Sequence, residues 1–221
     1  DVAILPGTAG QTEDQVYYVV NRTVNSVTKR YLEKWALESN CIGATLNHQA
    51  DAYLQVSQAS STTISGLSHL EGESVVVWAN GKDLGTYTVS SAAITVSEAV
   101  TTAIVGLTYT AQWKSTKLAY ATALGAALLQ KRNISHLGLI LKNTHYQGVQ
   151  YGLDFTTMYN MPGVEDGTAV AADTVHSVYD EESFEFPGEW NTDNRLCLKS
   201  VAPKPATIIG AVLTVEGHDK T

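Results

Sequence analysis

Charge is what this sequence most conspicuously lacks. Only 16% of its 221 residues are Asp, Glu, Lys or Arg, against about 25% in ordinary globular domains. The polar surface must therefore come from Thr, Ser, Asn and Gln. Cations are the scarcer sign: 14 Lys and Arg stand against 22 Asp and Glu, a net charge of −8. A nucleic-acid groove needs clustered Lys and Arg, so this balance argues against one. An acidic surface would instead suit a wall past which DNA slides without sticking. Cysteine is equally sparse. Cys41 and Cys197 could form one disulfide but not a disulfide framework, and two buried free thiols are the favoured reading. No run approaches the ~18 apolar residues of a membrane-spanning helix, and no signal segment opens the chain. The first residues, Asp1-Val2, lack a methionine, as in a processed or expressed piece of a longer protein. No GxGxxG, GxxxxGK[ST], HExxH, CxxC or GxSxG occurs, so no motif-level enzyme reading has support.

What the sequence does have is strand pattern. Residues 1–14 read as a linker, broken by Pro6, Gly7 and Gly10. Val16–Arg22 and Val27–Trp35 then make a hairpin turning at Asn25-Ser26, with Val27, Tyr31 and Trp35 on one face and Thr28, Arg30, Leu32 and Lys34 on the other. Residues 36–51 are irregular and polar, and a strand at 52–57 follows. Between 62 and 113 six short strands are expected, at 62–65, 73–79, 84–90, 92–96, 101–106 and 108–113. Asn80-Gly81 gives the clearest turn signal. Strands spaced this tightly suggest a small closed or half-closed barrel. Lys117–Arg132, rich in Ala and Leu, reads as the one helix, although Gly125 weakens it.

Beyond it Ile134–Asn143 is a strand with Leu137, Leu139 and Leu141 on one face and His136, Gly138 and Lys142 on the other. Further strands are expected near 147–151, 175–186 and 195–201. The apolar run 207–216 reads as a strand buried on both faces. The predicted fold class is mainly β. A six-stranded barrel-like unit over 61–113 is inserted in a larger antiparallel domain, sandwich or jelly-roll in style, made of 15–60 and 114–218.

Candidate chemistry is thin. His48, His69, His136, His145, His176 and His218 are scattered, with no i, i+2 or i, i+4 pair to hold a metal. His136, opposite the leucines, reads as a structural residue. The acidic run Asp180–Asp193 could be a Ca²⁺ site or a carboxylate pair for glycoside hydrolysis, but reads better as a solvated loop and edge strand. Tyr18, Tyr31, Trp35, Trp78, Tyr109 and Trp113 fall at strand alternation, where core packing is the usual job. Tyr146, Tyr151 and Tyr159 lie in loop-like context and are better placed to touch a partner. The sequons at Asn21 and Asn133 are read as chance. No catalytic, cofactor-binding or metal residue is assigned.

One phrase carries a resemblance. Gly66-Leu67, His69-Leu70-Glu71-Gly72-Glu73, Val75-Val76-Val77-Trp78-Ala79-Asn80-Gly81, Tyr87-Thr88-Val89-Ser90, Ile94-Thr95-Val96 and Val105-Gly106-Leu107-Thr108-Tyr109-Thr110 follow in order. Arg30-Tyr31-Leu32-Glu33-Lys34-Trp35 precedes them, and Gln130 to Leu137 follows as a basic linker and strand. Together they resemble the C-terminal region of bacteriophage tail nozzle, or tail tubular B-type, proteins, whose small barrel carries the FCCH label without ubiquitin chemistry. Thr108 replaces the family's usual Pro, and Ser90-Ser91-Ala92 replaces its glycine-containing turn. The likeness spans roughly 15–218.

It implies a non-enzymatic virion structural protein without cofactor, made in the bacterial host cytoplasm and built into the phage tail. The full-length protein would form a ring, a hexamer if the family holds. DNA would pass through it as cargo and other tail proteins would dock on it, with no membrane involved. Two other readings stay open. One is a carbohydrate- or receptor-binding module of a tail tip, motivated by the loop tyrosines and acidic loop. The other is a glycan depolymerase using carboxylates of 180–193, Glu185 among them.

Overall fold

A computed structural model describes residues 1–7, 13–118, 121–122, 125–126, 130–165, 167–180 and 183–217. It is mainly β with antiparallel sheets. Helical structure among the described residues is limited to three-residue 3₁₀ turns at Glu38–Asn40 and Ser68–Leu70. Two compact units divide the chain, Asp1–Tyr109 and Thr110–Thr221. The cut differs from the expected one. Among the described residues no ladder joins 15–60 to 114–218: the strands of 15–60 pair with their neighbours in unit 1, and those of 114–218 pair within unit 2.

Unit 1 opens with β1 (Val2–Leu5), β2 (Gln15–Val24) and β3 (Val27–Lys34), in sheet order β1-β2-β3. Part of the expected linker is therefore a strand, zipped along β2 from Val2 opposite Tyr18 to Leu5 opposite Gln15. The β2–β3 turn falls where Asn25-Ser26 predicts. Both residues have positive φ, 47° and 64°, as a two-residue turn matched to strand twist requires.

A second sheet holds β4 (Asp51–Ser65), β5 (Ser74–Ala79), β6 (Lys82–Thr88) and β7 (Ala93–Leu107), in the order β4-β7-β5-β6. Five of the six expected short strands thus fall on these four. The segments read at 92–96 and 101–106 are two ends of β7, and those at 52–57 and 62–65 are two ends of β4. No Gly or Pro interrupts 52–65 or 93–105, so the chain runs on and absorbs the curvature in register shifts along β4. The last expected strand, 108–113, opens unit 2.

The sheet curls without closing, since β4 and β6 are its free edges; the barrel-like expectation is corrected to an open four-stranded sheet. Its concave side holds one core. Ile64 and Ile94 from one end of the β4–β7 ladder share it with Ala103 and Val105 from the other and with Val75 and Val77 of β5. Asn80-Gly81 joins β5 to β6 with φ of 54° and 81°.

The glycine-lacking turn at Ser91-Ala92 also has two positive φ values, 54° and 57°. Glu71 supplies what glycine would otherwise make easy. Its carboxylate accepts the N–H of Ser91 (2.9 Å) and of Ala92 (2.6 Å).

Unit 2 is organised on β11 (Arg132–His145). Ahead of it lie β8 (Thr110–Lys114) and the paired two-residue strands β9 (Ala121–Thr122) and β10 (Gly125–Ala126). Of the helix expected over 117–132, these described parts are extended instead, with Gly125 opening β10. Residues 119–120, 123–124 and 127–129 lie outside the described residues. After β11 come β12 (Gln150–Gly152), β13 (Tyr159–Asn160), β14 (Val164–Glu165), β15 (Thr168–Ala169), β16 (Val175–Tyr179), β17 (Ser183–Glu185), β18 (Cys197–Val201) and β19 (Ile208–Gly217).

β16 and β17 line one edge of β11 and β19 runs along the other. A second sheet has the order β13-β12-β18-β8, and β14 pairs with β15. As predicted, Leu137, Leu139 and Leu141 are buried while His136 and Lys142 are exposed. The leucines pack with Tyr151, Phe186 and Leu198. β19, expected to be buried on both faces, is mostly exposed. Among the described residues it pairs with β11 alone, so its outer edge has no neighbour to cover it.

Candidate functional site

The aromatic residues assigned to core packing divide sharply. Trp78 is fully buried and its indole N–H donates to the Ala44 carbonyl at 2.9 Å. Trp35, Tyr109 and Trp113 are exposed, while Tyr18 and Tyr31 are half-buried. The tyrosines assigned to partner contact divide as well. Tyr151 is a core residue on β12, with Phe184 at 4.9 Å and Phe186 at 5.6 Å between ring centroids. Tyr159 is exposed on β13, and Tyr146 is half-buried beside the His145 ring. Alternation places a residue on a face without saying whether that face is covered.

Among the described residues no three His, Cys, Asp or Glu side chains gather as metal ligands would. His145 is buried, His176 lies 3.2 Å from Glu165, and His218 is outside the described residues. Both cysteines are free thiols, Cys197 buried and Cys41 half-buried, and burial raises the pKa of each.

The acidic run is pinned down. Asn191 and Arg132 exchange backbone hydrogen bonds, and the buried Asn194 amide donates to the carbonyls of Arg132 and Glu189. Glu185 stands opposite His136 across the β11–β17 ladder. Arg195 holds the exposed Asp193 carboxyl below the usual range. Glu181 and Glu182 lie outside the described residues.

The site that sequence reasoning missed is a cavity of about 640 Å³ in unit 1. One wall is a face of the β2–β3 hairpin. Tyr18 stands opposite Glu33 and Val20 opposite Tyr31, so Tyr18, Arg22, Tyr31 and Glu33 share that face, with Trp35 just beyond. The Arg22 guanidinium grips Glu33 in bidentate fashion, Nε to Oε1 at 2.6 Å and Nη2 to Oε2 at 2.9 Å. The hairpin tip is tied down where the Asn25 N–H donates to the Glu73 carboxylate at 3.2 Å.

The other wall comes from the start of β4 and its flanks, including His48, Asp51, Tyr53, His69 and Tyr109. His48 Nδ1 lies 3.1 Å from the Tyr53 hydroxyl, and His69 Nε2 donates to the Ala52 carbonyl at 3.0 Å. Burial lowers the His48 pKa against the opposing pull of Gln55. Burial raises Tyr18, Tyr53 and Tyr109, and Cys41, which also lines the space. At neutral pH the wall therefore offers phenol and thiol O–H and S–H groups and an uncharged imidazole. The sequence signal was present in Arg30 to Trp35 but not interpretable, because nothing local shows that this face meets residues 41–53.

Two strand surfaces expose apolar side chains to solvent. On the reverse of the hairpin Val19 stands opposite Leu32, which is 73% exposed, with Leu5 of β1 also exposed. On β19, Ile209 is 63% and Val212 62% exposed. No family model matches this sequence, and no curated protein matches it.

Proposed function

We propose that this chain is a non-enzymatic structural protein of a phage or prophage virion, part of the tail nozzle or hub ring through which DNA is ejected and on which other tail proteins dock. The observation that carries this reading is the exposed apolar strand β19. A ten-residue strand with one edge unpaired among the described residues and with exposed Ile209 and Val212 is a template for pairing with another chain. A protein that circulates alone normally blunts such an edge with charge or proline. Here the first charge along β19 is Glu216. Assembly into a ring would cover that edge and others like it. The net charge of −8 would keep passing DNA from adhering to a lumen.

The test is electron microscopy of the purified full-length protein with immunogold labelling of virions. Rings and gold at the tail are expected. A stable monomer that is missing from virions would remove the proposal.

A further inference from the structure

We infer that the unit 1 cavity is a binding site for a neutral saccharide. Its volume of about 640 Å³ falls within the ~300–1,000 Å³ of small-molecule sites. Arg22 and Glu33 on its hairpin wall neutralise each other, Lys34 and Asp51 stand at its lining as one charge of each sign, and His48 is held neutral by burial. An anionic ligand would want unopposed cations and a cationic one unopposed carboxylates. A wholly apolar ligand would strip water from Arg22, Glu33 and Asp51 and give them nothing back. What satisfies every wall is a ligand with apolar C–H faces and a rim of hydroxyls.

Tyr31, Trp35 and Tyr53 line the cavity, aromatic rings of the kind against which C–H groups pack. The Arg22–Glu33 pair supplies donors and acceptors in a fixed plane, because each side chain is already oriented by the other. Holding them this way lowers the ordering cost of binding. Trp35 is 67% exposed, a large ring left in water beside the mouth, which a stacking partner would cover. The inference concerns this cavity and stands whether or not the chain is a tail protein. It also moves the expected glycan contact away from Tyr146, Tyr151, Tyr159 and the acidic run.

The test is saturation-transfer NMR and calorimetry on the whole chain. The probes are neutral di- and trisaccharides of glucose, galactose, mannose, rhamnose and N-acetylglucosamine, beside uronate trisaccharides. At least one neutral sugar is expected to bind at millimolar concentration or below and better than any uronate. Its affinity should fall about tenfold or more in Trp35→Ala and in the Arg22→Gln/Glu33→Gln pair. Three results would overturn the inference: no neutral sugar binding, preference for the uronates, or binding indifferent to Trp35→Ala. Because Trp35 is exposed, its removal leaves the fold intact, so that arm decides the matter even if the double variant is unstable.

Discussion

β5 and β19 read alike in the sequence and end in opposite situations. Val75 to Ala79 is an unbroken apolar run, and so, nearly, is Ile208 to Val215. β5 lies between β6 and β7, and all but its first residue is buried. Among the described residues β19 has one neighbour, and no residue of it is fully buried. The apolar run predicts that a strand wants both faces covered, and the chain itself supplies the cover only for β5. Val75, Val77 and Ala79 face the curled core of unit 1, while Trp78 on the reverse reaches the polar segment 36–50 through Ala44. For β19 no described segment does this. A run left bare within one chain is the expected mark of a surface that another chain covers.

The largest test of the contrast is truncation on the covered strand. Trp78→Ala removes the largest fully buried side chain and its hydrogen bond to Ala44. It should cost about 3–5 kcal/mol in chemical denaturation. A loss under ~1 kcal/mol would mean that segment 36–50 does not seal this face.

Next in size is Gly106→Ala on β7, directly opposite Val76 of β5. A methyl there would meet the Asp51 carbonyl at 2.7 Å and the Cβ atoms of Ala50 and Tyr53 at 2.9 Å. Overpacking of this kind should destabilise by about 1–3 kcal/mol and would show as a lowered urea midpoint with unchanged slope. Gly106 is glycine because the chain crosses β7 closely there, not because its φ demands it.

On β19 the sign of the contrast reverses. Ile209→Lys with Val212→Lys should alter the folding stability of the isolated chain by no more than ~0.5 kcal/mol for each change, as at ordinary surface positions. The same pair should abolish higher oligomers of the full-length protein in light scattering. Unfolding of the chain by these lysines would show that β19 is already covered.

How much of this was legible follows from the same contrast. Turn chemistry is local, so Asn25-Ser26 and Asn80-Gly81 were readable, and so was the leucine face of β11. Strand continuity was not. The bulges that let β4 and β7 bend leave no Gly or Pro behind, so long bent strands look like pairs of short ones. The cover on Trp78 was also hidden, because residues 36–50 are polar and irregular and their role rests on one carbonyl and a buried Asn47. The cavity was hidden for a related reason: its walls come from stretches separated in sequence, and Tyr31 or Trp35 on an alternating strand looks like any core aromatic. The Ala- and Leu-rich segment 117–132 shows the opposite failure, helix propensity overridden in its described parts.

The smallest effect expected is on pH. His48 belongs to the segment that covers β5: its N–H donates to the Asn40 carbonyl and its own carbonyl accepts from Ala50. Its ring meets the Tyr53 hydroxyl and is also influenced by Gln55. Burial depresses its folded-state pKa below the ordinary value of about 6.5. Above that value both folded and unfolded chains hold the imidazole neutral, and its contribution is complete. As pH falls from about 6.5 toward the folded pKa, the unfolded chain takes up the proton first, so stability is lost in that window. Hydrogen exchange, corrected for intrinsic rates, should therefore show β5 amides losing protection on mild acidification while β19 amides keep theirs. His48→Gln should remove that acid sensitivity. Equal loss at both strands, or a loss that survives His48→Gln, would mean that the cover over β5 is not what the proton loosens.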